Sequence, residues 1–496
     1  MSTVEFVDVT MRDGNQSLWG AMGMRTRDVL PIASALDRTG YKVVEFTNSM
    51  MMGAAVKTHR EDPWERIRLM AQAMPNTPLG LITTPFRFLT WDVTPPAIME
   101  LALQLLVRNG IRCFWITDPV NDMDRIIAAA RTIKAAGDAR VVVGITYSIS
   151  PIHTDRRFVD CALAFRDCSV VDALYFKDPG GLARPERVRA LVPAVQSALE
   201  GCRIKMEEMH THNNTGLAPH NHLEALEHGI TVLHTAVSPL ANGTSHPSVQ
   251  SMIRNVRQSG YETTLDESLI DEAARHFRRV AIREAFPIGV PVEYDSTYYV
   301  HQLPGGMYST MQRQLAEVGM AHRFAEVLEE VPRVRADLGY PIMVTPLSQF
   351  VGTQSLLNVT SGERYSMVPD EVVYYLMGRY GKPEGTVDPN VRDKILGSRR
   401  AREILRNPDP PSGAETIAEL RRSLGPFVSD EELLLRAVMA ADDVDRMKRS
   451  RRAADHGASV GQPLGDALRA FSRRPAMRSL SVRWGDTSVE VNRQAH

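Results

Sequence analysis

A chain of 496 residues exceeds what one hydrophobic core accommodates and has room for a large α/β barrel with an appended domain. A formal net charge of -1, with 43% hydrophobic and 24% charged residues, excludes a bulk electrostatic pull toward nucleic acid or a membrane surface. Cys113, Cys161, Cys168 and Cys202 lack paired C-x-x-C spacing, which argues against a zinc knuckle and against a secreted disulfide framework. Met1 to Val9 carries acids where a signal peptide needs bases, and no run reaches about 18 apolar residues, so the expectation is a cytoplasmic protein without membrane insertion.

From the start to about Ser259, short β-branched runs alternate with longer amphipathic stretches, the rhythm of βα units on a parallel sheet. The predicted strands are Val4 to Asp8, Val43 to Thr47, Leu79 to Thr83, Cys113 to Thr117, Arg140 to Tyr147, Ala173 to Phe176, Ile204 to His210 and Val232 to Ala236. A helical pattern follows each, clearest at Pro95 to Asn109 and Pro185 to Ala198, where proline opens a first turn that needs no N–H. Eight such units in about 250 residues are what a TIM (β/α)8 barrel requires. A doubly wound open sheet is the rival, but the first βα turn lacks a phosphate-binding glycine fingerprint.

Beyond about Tyr261 the strand rhythm stops and charge-rich helical segments follow, at Leu265 to Glu284, Met311 to Leu338 and Asp430 to Lys448. The proline-rich Arg406 to Gly413 reads as a break, and the basic, glycine-containing Ser450 to Pro463 as an exposed linker. Alternating polar and apolar residues on both sides of Gly485-Asp486, within Arg478 to Asn492, predict a short β-hairpin. The expected organisation is an α/β TIM barrel over 1–262, a mostly helical C-terminal domain over 263–460, and a linker with hairpin over 461–496.

TIM-barrel chemistry sits at the C-terminal ends of the strands. Asp13 follows the first predicted strand, Lys177 ends the sixth, and His210 and His212 end the seventh, so one mouth collects a carboxylate, an amine and two imidazoles. Side chains alternate along a strand, so His-x-His sends both rings to one side, where they can bite one metal ion. Alone, that pattern is more often surface or core decoration; with Asp13 at the companion position it reads as a metal site. Lys177 either pairs with Asp178 or is carbamylated by CO2, which turns a cation that a metal would repel into an anionic oxygen ligand. His220, His222, His228 and His234 read as helix-surface and core histidines, Lys448 to Arg452 as a solvated helix end, and the 23 methionines as core filler.

With these residues placed, the sequence resembles the carboxyltransferase domain of the family of biotin-dependent pyruvate carboxylase, oxaloacetate decarboxylase alpha subunit and transcarboxylase. The matching segments are Asp8 to Leu18, Phe176 to Leu182, His210 to Gly216, Ser238 to Ser248, Leu303 to Ser309, Val344-Thr345-Pro346 and Val351-Gly352, in order over roughly residues 3 to 400. The resemblance implies that Asp13, carbamylated Lys177, His210 and His212 hold a zinc, manganese or cobalt ion. It implies that Arg12 and Gln16 line the pocket, Arg12 orienting the substrate's carbonyl or enolate oxygen, and that Ser309 stands where relatives carry a proton-shuttling threonine. The implied reaction frees CO2 from carboxybiotin in a dry pocket, takes a proton from the acceptor's α-carbon and joins the enolate to CO2, or runs in reverse.

Two departures concern the acceptor. Thr84 stands where keto-acid enzymes of the family carry an arginine for the substrate carboxylate, and Trp91 stands where a pocket tyrosine is expected. Either Arg87, three residues on, supplies the charge, or the acceptor is not pyruvate. No methionine-flanked biotinyl lysine occurs, since Met447-Lys448 lies between Arg446 and Arg449, and there is no glycine-rich ATP signature. The resemblance therefore implies a separate biotin carboxyl carrier protein and biotin carboxylase subunit, with a homodimer as the family's usual state. The rivals are an aldol-type lyase or acyl-CoA condensing enzyme of the isopropylmalate synthase group, which leaves Lys177 and Pro304-Gly305-Gly306 without a role, and a catalytically silent scaffold, against which the retained candidate ligands weigh.

Overall fold

The computed structural model describes residues 2–21, 23–89, 93–317, 319–406, 417–457, 471, 478–484 and 487–492. Among these, eight parallel strands close a barrel in chain order: β1 (Glu5–Asp8), β2 (Val43–Asn48), β3 (Leu79–Thr83), β4 (Ile111–Ile116), β5 (Arg140–Thr146), β6 (Ala173–Asp178), β7 (Met206–Thr211) and β8 (Val232–Thr235). Glu5 to Asp8 pairs in register with Val232 to Thr235, and this closure excludes the open doubly wound sheet.

Strand parity decides what enters the barrel. Val7, Val43, Cys113, Trp115, Val142, Ala173, Tyr175 and Val232 fill its interior, while neighbours such as Val44, Phe114, Val141, Val143, Leu174 and Phe176 pack outward against the helices. Continuing the same alternation turns Glu45 of β2, Lys177 of β6, Glu208 and His210 of β7 and His234 of β8 inward. A one-residue slip in any of these strands would bury its outward set in the barrel and expel its polar residue.

A second apolar cluster, built around Leu303, Leu315, Val331, Leu347, Phe350 and Tyr375, takes in Phe86 and Val120 from the loops after β3 and β4, so the helical layer sits on the C-terminal mouth. Arg335 ties it down by donating to the Ser148 hydroxyl and the Ile149 carbonyl, both at 2.7 Å. Leu433, Leu434 and Val444, from later helices, return to the main barrel core.

Several boundaries differ from expectation. The helix expected over Met311 to Leu338 is interrupted between Gly305–Glu317 and Phe324–Asp337, where Gly319 turns into the left-handed region at φ 73°. The segment expected over Asp430 to Lys448 divides into Asp430–Val438 and Ala441–Gly457 at an extended Met439. The second of these helices runs through the first part of the expected linker, which is therefore helical to Gly457; residues 458–463 of that linker, and 407–413 of the proline-rich break, lie outside the described residues. The hairpin forms as expected, β9 (Ser479–Trp484) against β10 (Thr487–Asn492). No helix among the described residues is long and apolar enough to cross a membrane.

Candidate metal centre

After β1 the chain makes a wide helical turn, Thr10–Gly14, in which the Asp13 and Gly14 amides both donate to the Val9 carbonyl, at 2.8 and 3.0 Å. The turn is pressed against the loop after β8: the Val237 amide donates to Thr10 Oγ1 at 2.7 Å, and a Cβ on Gly14 would meet the Leu240 carbonyl oxygen at 2.8 Å. Glycine is the residue this close approach admits. The result is a buried Asp13 carboxylate directed across the mouth.

Asp13 Oδ2 lies 3.2 Å from His210 Nε2, 3.3 Å from His212 Nε2 and 3.2 Å from His246 Nε2. The four side chains are buried, and one ligand atom from each lies within 4.8 Å of all the others. Reading by strand ends brings out the first three of these residues. His246 stands in the sequence only as part of the matching segment Ser238 to Ser248; it reaches the cluster because the Asn213 amide donates to the Ser245 carbonyl at 2.8 Å, fastening the loop after β8 over the end of β7. Its position shortly beyond a strand end, like that of Asp13, is the signal that could have found it.

The donor set passes a simple chemical test. His212 Nδ1 faces the Thr244 carbonyl at 2.8 Å, and a carbonyl only accepts, so Nδ1 carries a hydrogen; burial opposes the ring's charge, but Asp13 and that carbonyl outweigh it and raise the pKa, and in the neutral form that a metal ion takes, Nε2 is the bare nitrogen. Burial and the neighbouring His246 push His210 well below the ordinary histidine value, toward the neutral form that a ligand needs. Burial works to raise Asp13, but Arg12 and, after it, His212 outweigh burial and hold the carboxylate ionised, well below its usual range. A carboxylate oxygen with imidazole nitrogens converging on one point suits zinc, manganese or cobalt.

Arg12 Nη2 lies 2.9 Å from Asp13 and 2.7 Å from Glu45. Burial opposes its charge and the two carboxylates outweigh burial, while its Nε has no hydrogen-bond partner among the described residues. Gln16 Oε1 accepts from Asn48 at 2.7 Å. Lys177 sits opposite His210 in the β6–β7 register and donates to Thr117 Oγ1 at 3.4 Å. Burial, with help from Arg12 and Arg87 and against Asp13 and Glu45, brings its pKa down to about 8. The alternative pairing of Lys177 with Asp178 is corrected: Asp178 accepts instead from the Leu182 and Ala183 amides, at 2.8 and 2.9 Å, and from the Thr211 hydroxyl at 3.0 Å, folding the loop after β6. The reading of His234 as a mere core histidine is also incomplete, since its Nδ1 lies 3.1 Å from His210 Nδ1.

Of the residues expected at the acceptor, Thr84 is half-buried just beyond β3 and Arg87 is buried, its pKa brought down to about 10 by burial, with Tyr380 opposing. Trp91 lies outside the described residues. Ser309 belongs to the helix Gly305–Glu317, whose first residue touches the mouth; a Cβ on Gly305 would stand 2.1 Å from Thr244 Cγ2.

These features define a class, an α/β-barrel enzyme whose C-terminal mouth gathers a carboxylate and imidazoles fit for a divalent ion beneath a helical cap. The conserved carboxylase domain matches residues 298–461, and the HMGL-like domain matches residues 116–276. The B subunit of pyruvate carboxylase from Methanocaldococcus jannaschii is 36% identical over 447 residues, covering 88% of this chain and 76% of that protein. The 2-oxoglutarate carboxylase large subunit of Hydrogenobacter thermophilus is 34% identical over 445 residues, covering 87% of this chain and 66% of that protein. The carboxyl transferase domain from Rhizobium etli pyruvate carboxylase shares the fold, with a TM-score of 0.79 at 23% identity over 90% of this chain and 77% of that one. The chain belongs to the carboxyltransferase family of biotin-dependent carboxylases, and it is an enzyme of that kind.

Proposed function

We propose that this chain moves CO2 between carboxybiotin, presented by a separate carrier protein charged by a separate biotin carboxylase, and a small 2-oxo acid that enolises within the barrel mouth. The relatives from Methanocaldococcus jannaschii and Hydrogenobacter thermophilus, named as subunits of a pyruvate carboxylase and a 2-oxoglutarate carboxylase, support both the division into separate chains and the acceptor class. The observation that carries the reading is the convergence of Asp13, His210, His212 and His246 within 4.8 Å.

Those four residues would hold the divalent ion, with a CO2-derived carbamate on Lys177 as a further oxygen ligand. Bound there, the ion supplies Lewis-acid charge that favours the enolate form of the acceptor. Arg12 adds a fixed cation for the acceptor's carbonyl oxygen, kept charged by Asp13 and Glu45 and with its Nε open to that task. Arg87, close enough to act on the charge of Lys177, takes the acceptor carboxylate in place of an arginine at Thr84. Gln16 fixes the pocket wall through Asn48, and the Ser309 hydroxyl carries the proton between biotin and the acceptor carbon next to the keto group. The cap seated by Gly305 excludes water from a reaction whose CO2 and enolate water would otherwise intercept.

The test is decarboxylation of oxaloacetate by the purified chain with free biotin. Biotin-stimulated turnover supports the reading. Consumption of acyl-CoA without response to biotin favours a condensing enzyme, and inactivity on both with no bound metal favours a silent scaffold.

A further inference from the structure

Behind the cluster, the barrel interior holds a line of buried polar groups that the proposed reaction does not touch. His210 Nδ1 lies 3.1 Å from His234 Nδ1, and His234 Nε2 lies 3.0 Å from Glu208 Oε2. The same Glu208 oxygen accepts from Trp115 Nε1 at 2.7 Å, and Arg140 Nη2 stands 3.4 Å from Glu208 Oε1. Glu208 and His234 are each 1% exposed, so this chain of contacts is shielded from bulk water.

Hydrogen-bond chemistry gives the chain a direction. Indole and guanidinium groups only donate, so Trp115 and Arg140 hold Glu208 as the acceptor. His234 Nε2 then carries the hydrogen that Glu208 receives. When His234 is neutral its one N–H is the one Glu208 receives, its Nδ1 is bare, and the hydrogen in the contact between the two Nδ1 atoms belongs to His210. His210 Nε2 is thereby left with a free lone pair, and it is this atom that stands 3.2 Å from Asp13 Oδ2. Tyr175 fixes the ring planes, stacking on His234 at 5.9 Å and meeting His210 edge-on at 6.1 Å.

We propose that Glu208 and His234 are positioning residues, a relay across the barrel interior that holds His210 in the tautomer whose Nε2 is free for a divalent cation. The proposal rests on the metal-site reading above. His212 obtains the same tautomer from a single backbone carbonyl, whereas His210, deeper in the barrel, turns its Nδ1 to a second imidazole and obtains it through that ring and a carboxylate. An apolar pair at these two positions would fill the interior equally well but would leave His210 free to place its hydrogen on Nε2.

The test uses the full chain, stripped of metal, as wild type and as the near-isosteric Glu208→Gln and His234→Gln variants. Long-range 1H–15N spectra of histidine-labelled protein, with His210 assigned through His210→Asn, report the tautomer without any ion. Chelator competition reports Zn2+ affinity, and the melting temperature of the metal-free protein selects variants with an intact barrel. Wild type is expected to show Nδ1–H at His210, and the variants a mixture of tautomers with Zn2+ affinity weakened about 10- to 100-fold. A wild-type His210 protonated at Nε2, or folded variants with unchanged tautomer and affinity, overturns the relay. If wild type shows the expected tautomer yet takes up no Zn2+, the relay stands and the metal reading fails.

Discussion

His246 Nε2 stands 3.2 Å from Asp13 Oδ2, the carboxylate oxygen that also faces His210 and His212. Two loops far apart in the sequence, following the neighbouring strands β1 and β8, therefore meet at one oxygen. Burial and the neighbouring His212 bring His246 down to about 3, so it offers a neutral imidazole at any physiological pH. His246→Gln is expected to weaken divalent-metal affinity by at least about 10-fold, no less than the loss of an outer-shell partner, while the metal-free protein stays folded. Equilibrium dialysis against a chelator checks this, and unchanged affinity would remove His246 from the ligand set.

Lys177 is buried opposite His210 and, among the described residues, makes only a long hydrogen bond to Thr117. Protein equilibrated with 13C-labelled CO2 is expected to give a carbamate carbonyl resonance that is absent from Lys177→Ala, and that variant is expected to lose metal, turnover or both. A variant with wild-type metal content and turnover would discard the carbamate.

Arg87 and Thr84 give a paired test of the acceptor site. If Arg87 supplies the carboxylate contact, Arg87→Gln removes a charge-assisted bond of about 1.5–3 kcal/mol, which is roughly 10- to 100-fold in kcat/KM for a 2-oxo acid. Thr84→Arg in the same background is expected to restore part of that loss, because it returns a guanidinium to the strand end. Steady-state kinetics of the single and double variants decide it; an inert Arg87→Gln would move the acceptor's anchor elsewhere.

Gly305 marks where the cap touches the barrel. A methyl group there would stand 2.1 Å from Thr244 Cγ2 and 3.0 Å from Asn214 Oδ1. Gly305→Ala is therefore expected to cost about 1–3 kcal/mol by overpacking and to lower kcat more than it raises KM, since it lifts the helix that bears Ser309. Thermal melts and kinetics measure both; an unaltered variant would mean that the cap does not bear on catalysis.

The barrel was legible because its strands are apolar with a strict parity. Once Leu174 and Phe176 are assigned outward, Lys177 must point inward, and the same reasoning carries His210. Loops have no such parity, so a position beyond β8 suggests His246 without placing it; the contact between Asn213 and Ser245 does that. The role of His234 was hidden for a different reason: its environment consists of Glu208, Trp115 and His210 on other strands, and no spacing within β8 announces them. The break at Gly319 is not legible in the sequence because charge and periodicity continue across it, while the left-handed turn depends on a single residue.

Locating the ion tests the central claim most directly. An anomalous-difference map from crystals of the purified chain soaked in Zn2+ or Mn2+ should show one strong peak bounded by Asp13 Oδ2 and the Nε2 atoms of His210, His212 and His246. A map with no peak there, or with the ion held by other side chains, would contradict the assignment of this mouth as a metal-dependent carboxyltransferase site.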